Sequence, residues 1–155
     1  MLSGVLTNSA RRALAAAWFA ILGFLVTALL FLHQPMVFHG RFLLVLLPAM
    51  SGGLAGYIWG GAILDFTKTR GYGESLLRGI GIASRAFAIF AVLFAFALWQ
   101  TEPGWGMSQV GGLFLATLTF GLLMVGPLIM ITGLVGGGIL YLLGRHAFAG
   151  RRPNW

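Results

Sequence analysis

Long uncharged runs dominate the pattern of apolar and polar positions along this chain. The first, Ala13–Leu32, holds 20 residues, and Thr27 is its one conventional hydrogen-bonding side chain besides the indole of Trp18. At 1.5 Å per residue it makes a helix of about 30 Å, the thickness of a bilayer's hydrocarbon core. The second, Phe42–Leu64, holds 23 uncharged residues, with Pro48 and a dense set of glycines inside it. Membrane helices tolerate both residue types because neighbouring helices and local adjustments satisfy the freed backbone groups. This run therefore also predicts a span.

The third run is uncharged only from Ala86 to Trp99, 14 residues, too few to cross. Extended back to Gly79 it reaches 21 residues and takes in Ser84 and Arg85. Arg85 then lies one to two turns inside, and its long stem is expected to carry the guanidinium back toward the headgroups. The fourth run, Val110–Leu143, has 34 residues and would be roughly 51 Å long as one helix, well beyond one bilayer. Pro127 divides it and Gly136, Gly137 and Gly138 weaken it again. It predicts either one long, kinked and tilted span or an element broken near Pro127.

The expectation is an all-α integral membrane protein, a single membrane domain of four transmembrane helices. The spans fall at about 13–32, 42–64, 79–99 and 110–143, with a basic cytoplasmic loop at about 65–78. Composition agrees: 59% of the 155 residues are apolar and 8% charged, against roughly 45–50% and 25% in soluble domains.

Charge placement adds an orientation. With four crossings, nine of the ten bases fall on one side and only Arg41 on the other, which the positive-inside rule makes cytoplasmic for both termini. A fifth crossing would strand Arg145, Arg151 and Arg152 outside. Trp99 and Trp105 flank the third connection as interfacial anchors. The run after Arg11 and Arg12 exceeds a signal peptide's apolar region of about 7–15 residues, so it reads as a permanent span. The net charge of +7 suits anionic headgroups better than nucleic acid, because the bases lie between and beyond the apolar runs. The bias favours a bacterial-type inner or a photosynthetic membrane.

Candidate chemistry is sparse. There is no cysteine, which removes disulfides, thiolate metal sites and cysteine nucleophiles. His33 and His39 fall in the first connection and His146 at the cytoplasmic end, so no two share a depth on different spans as a bis-histidine haem would require. Gly71, Gly73, Gly79 and Gly81 have neither dinucleotide spacing nor a Gly-Lys-Ser/Thr sequence, and read as a turn and a soft start to span three. Asp65, Glu74 and Glu102 all lie at boundaries or in loops, so no acid sits within the bilayer to couple protons. No metal and no cofactor are expected.

Two patterns remain as sites. Gly52, Gly56 and Gly60 recur every four residues on one face of span two, and Gly133 and Gly137 repeat the spacing in span four. Such faces let another helix approach closely. Lys68, Arg70, Arg78 and Arg85 form a basic group at the cytoplasmic boundary, suited to docking a partner or lipid headgroups. The reading that follows is a non-catalytic membrane subunit, assembly factor or scaffold that packs, through glycine-rich faces, against another integral membrane protein or a second copy. The alternative is a small oligomeric channel or transporter lined by a broken fourth span with Thr117, Thr119 and Thr132. An enzyme acting on lipid or quinone lacks a general acid and base within reach of each other.

Overall fold

The apolar runs fold as helices that extend past their own charge-free limits. A computed structural model describes residues 7–31, 42–65, 71–101, 104 and 106–148. Helix α1, Asn8–Phe31, starts five residues before its apolar run. Thr7 caps it, its Oγ1 accepting from the Ala10 amide at 3.3 Å, a side-chain acceptor for one of the amides that a helix start leaves unpaired. Helix α2, Phe42–Trp59, contains Pro48 and ends in a 3₁₀ turn at Gly60–Ala62. Helix α3, Tyr72–Thr101, carries Glu74 and Arg78 in its opening turns. Helix α4, Met107–Phe148, runs for 42 residues straight through Pro127 and the three consecutive glycines. At its start the Gln109 side-chain oxygen accepts from the Gly106 backbone amide, one half of a capping box, and the Gln109 backbone amide donates to the Gly106 carbonyl at 3.1 Å in the first turn.

The described residues are thus almost all helical, with no strand among them. Three helices have apolar windows long enough to cross a membrane: Asn8–Leu29, Tyr72–Gln100 and Met107–His146. Of the two alternatives for the fourth run, the chain takes the single helix, and the glycine triplet does not interrupt it.

Two antiparallel hairpins make up the bundle. On the first, positions meet in steps of four that rise along α1 as they fall along α2: Ala15 with Gly56, Phe19 with Gly52, and Gly23 with Pro48. On the second, Ser75 faces Gly137 and Gly79 faces Gly133. α2 and α3 join the hairpins side by side, whereas α1 and α4 touch only slightly.

The best-packed region lies at one end of this arrangement. Ala15, Phe19, Ala55, Ile63, Leu64, Ile82 and Leu140 form its core, flanked by Trp18 and Tyr141. Tyr72 and Tyr141 meet edge-on there, with ring centroids 6.0 Å apart. The described arginines gather at the same end, because antiparallel pairing brings the start of α1, the end of α2, the start of α3 and the end of α4 together.

Candidate functional site

The glycine faces come first, since they decide how closely the helices approach. A Cβ at Gly56 would stand 2.6 Å from the Ala15 carbonyl oxygen and 3.0 Å from Ala16 Cα; one at Gly52 would run into the Phe19 carbonyl; one at Gly60 would meet Ala15 Cβ at 2.6 Å. A Cβ at Gly133 would lie 2.6 Å from Ile80 Cα, and one at Gly137 would lie 2.9 Å from Gly79 Cα. All five sequence-marked glycines therefore face other helices of the same chain. They do so against backbone or a short side chain, neither of which yields readily.

Gly23 and Gly79 belong to the same seams, and the spacing rule missed them because each lies alone on its face. Gly136, Gly137 and Gly138 divide their neighbours: Gly136 receives Leu22 from α1, Gly137 receives the α3 backbone, and Gly138 receives the Tyr72 and Leu76 side chains. Successive residues on a helix are about 100° apart, so a glycine triplet lets α4 turn a bare surface to α1 and α3 at one level. There the Trp18 indole Nε1 donates to the Gly136 carbonyl at 3.0 Å.

The basic group is only partly described, since Lys68 and Arg70 lie outside the described residues. Arg78 donates to the Glu74 carboxylate from Nη2 at 2.7 Å and from Nε at 3.1 Å, and to the Ala62 carbonyl at 3.2 Å. Arg11 pairs with Asp65 at 3.4 Å. Together these contacts tie the start of α1 and the start of α3 to the turn that ends α2. Arg85 stacks its guanidinium over the Trp59 ring, 5.1 Å from the centroid. Its Nη1 lies beside Gly81, 3.5 Å from where a Cβ would stand. The side chain has thus folded back one turn toward the charged end, the direction that side chains of a helix favour. Trp59, Glu74, Arg78 and Arg85 border an open recess of about 430 Å³.

A second space sits deeper, among all four helices. It has a volume of about 320 Å³ and is walled by Leu22 and Val26 of α1, Pro48 and Gly52 of α2, the Phe87, Phe90 and Phe94 rings of α3, and Val125 and Ile129 of α4. The rings form a ladder, with centroids 6.2 Å apart between Phe87 and Phe90 and 5.6 Å apart between Phe90 and Phe94. Three hydroxyls border the space, and each spends its proton on its own helix. Thr27 donates to the Gly23 carbonyl at 2.7 Å, Ser51 to Leu47 at 2.8 Å, and Thr132 to Leu128 at 2.7 Å. The three hydroxyl protons are spent on backbone carbonyls, so the walls present mostly carbon and a few oxygen lone pairs.

No charged or nucleophilic pair lines that space. Among the described residues no group of three histidine, cysteine or acidic side chains comes together. His146 is exposed near the end of α4; His33, His39, Glu102 and Trp105 lie outside the described residues. No known protein family, no curated protein and no solved structure matches this chain.

Proposed function

We propose that the chain is a four-span integral membrane subunit, assembly factor or scaffold without catalytic chemistry, its termini cytoplasmic, that packs against another membrane protein. The observation that carries this reading is the outer surface of α4. None of the most apolar stretch of that helix is buried, against 17% for α1 and for α3. Phe120, Leu123, Met124, Pro127, Met130 and Ile131 recur at helical spacing and face away from α3, with Met124 84% exposed. Because the glycine faces are filled from within the chain, the partner surface in this reading is this stripe. Unbranched methionines adapt to an irregular neighbour, and helix association in lipid depends on packing of this kind.

The engagement of the charged groups supports a structural role as well. Asp65 and Glu74 are both ion-paired, and a carboxylate held by an arginine is a poor general base. The channel or transporter reading draws less support, because Thr132 turns its hydroxyl to its own backbone and Thr119 faces outward.

The test is the native mass of the complex extracted in mild detergent, with the co-purifying chains identified. A stoichiometric larger membrane partner that is released by Leu123→Trp together with Ile131→Trp is the expected result. A bare monomer or a homo-oligomer overturns the subunit reading.

A further inference from the structure

The space among the four helices is too large and too apolar to be left as ordinary packing. Its 320 Å³ is about twice the volume of an apolar cavity that stays dry and takes up benzene, and a water there would need two to four polar partners. The walls offer none of the three hydroxyl protons, at most oxygen lone pairs, and are otherwise hydrocarbon. Water is therefore a poor occupant, and a hydrocarbon is a good one.

Shape and position narrow the choice. Along α3 the wall runs from Ala83 to Phe94, about 16 Å at 1.5 Å per residue, which is about half of a ~30 Å hydrocarbon core and so the depth of one leaflet. Near the core, α1 and α4 are closed against each other by Trp18, Phe19 and Leu22 on Gly136. Beyond that contact, Val26 of α1 and Val125 of α4 both line the space, and the two helices touch only slightly overall. The other three seams, α1–α2, α2–α3 and α3–α4, are extensively packed. The open side is thus the α1–α4 side, and in a membrane that side faces lipid.

We infer that this cavity is a binding site for one acyl chain of a bilayer phospholipid, which enters between α1 and α4 and lies against the Phe87, Phe90 and Phe94 rings. The headgroup stays outside, since nothing within the walls pairs with a phosphate. The inference rests on the chain being membrane-embedded and is independent of any protein partner.

The experiment uses the full chain in vesicles of phosphatidylcholine carrying a diazirine midway along one acyl chain. The protein is irradiated after extraction and delipidation in mild detergent, and the adducts are mapped by peptide mass spectrometry. Retention of one phospholipid per chain is expected, with adducts on Val26, Phe87, Phe90 or Ile129 in preference to Leu123 and Met124 on the outer face. Ala86→Phe, which fills the cavity, should abolish both the retained lipid and those adducts, while Met124→Phe on the outer face leaves both unchanged. Should Ala86→Phe not fold, the adduct map of the unaltered chain decides by itself. Labelling confined to the outer face, a chain that emerges without lipid, or retention of an isoprenoid in place of a phospholipid each overturns the assignment. A chain that fails to enter vesicles at all overturns the membrane reading instead, a result that carbonate extraction separates from the others.

Discussion

Replacing Gly79 by alanine tests the packing argument most directly. The new methyl would run into the Gly133 carbonyl oxygen and would stand 2.8 Å from Gly137 Cα and 2.9 Å from Gly137 N. Ordinary contact begins at 3.4 Å, so relieving the Gly137 Cα overlap alone, from 2.8 to 3.4 Å, moves the helices apart by at least about 0.6 Å. Every atom in the way is backbone, and the movement is shared along the whole α3–α4 seam. Overpacking of this kind costs about 1–3 kcal/mol, while alanine recovers up to about 1 kcal/mol of helix propensity. With three backbone atoms inside contact distance the cost falls toward the upper end of that range, so a net loss of about 1–2 kcal/mol follows.

Gly112 of α4 is the matched control, since it is exposed and a Cβ there meets nothing within 4 Å. Gly112→Ala should be neutral or stabilising by up to about 1 kcal/mol. The assay is reversible unfolding in mixed micelles with rising dodecyl sulfate, followed by circular dichroism and by loss of near-ultraviolet signal. The reasoning is refuted if Gly79→Ala is as stable as the parent, or if it shifts the midpoint in the same direction and by the same amount as Gly112→Ala.

Three further outcomes follow from contacts at the charged end and beside it. Trp18→Phe removes the hydrogen bond to the Gly136 carbonyl, 3.0 Å long; in membrane proteins such bonds average about 0.6 kcal/mol, a loss read in the same unfolding assay. Arg85→Gln and Trp59→Leu should each cost about 0.5–1 kcal/mol, and the double variant should cost no more than the larger single loss, as expected for one cation–π pair. Arg78→Gln removes the Glu74 ion pair and the bond to the Ala62 carbonyl. It should destabilise by about 1–2 kcal/mol, and salt up to the molar range should weaken the parent toward the variant but not fully. Reporter fusions at either terminus should both register as cytoplasmic; opposite signals would require an odd number of crossings.

Much of the helical content was legible because the runs are long and uncharged, while their ends were not. The limit of an apolar run marks where charge begins, whereas a helix ends where its backbone loses partners or meets a cap. Glu74 and Arg78 therefore read as loop residues but stand on the first turns of α3, where they form an ion pair one helical turn apart. Pro127 read as a possible break, yet α4 continues through it. A proline removes one amide donor and crowds one carbonyl, and a 42-residue helix has enough remaining bonds to continue.

The sites divide the same way. A glycine face is visible as a spacing of four, but spacing is silent about what fills it, and only the register of α1 on α2 brings Gly52 to Phe19 and Gly56 to Ala15. That Arg85 turns back toward the charged end was legible, because its long stem and its place near the start of the third run follow from position. Its seat on Trp59, and the space that Gly81 gives it, depend on how α2 and α3 lie together. The apolar cavity had no signal along the chain at all. It is a property of four helices that do not quite close, and no single segment carries it.

The pairing of the helices also bears on how the chain is made. Its two tightest seams join neighbours in sequence, α1 with α2 and α3 with α4. Each hairpin can close as soon as its second helix has left the ribosome, without waiting for distant parts of the chain. Contacts between sequence neighbours are also the ones that form fastest and least often go astray. Only the α2–α3 docking and the slight α1–α4 contact remain for the finished chain. Synthesis halted after α2 should therefore already leave a hairpin in which Phe19 and Gly52 are held together, which a cysteine pair placed across that seam would report by cross-linking on the nascent chain.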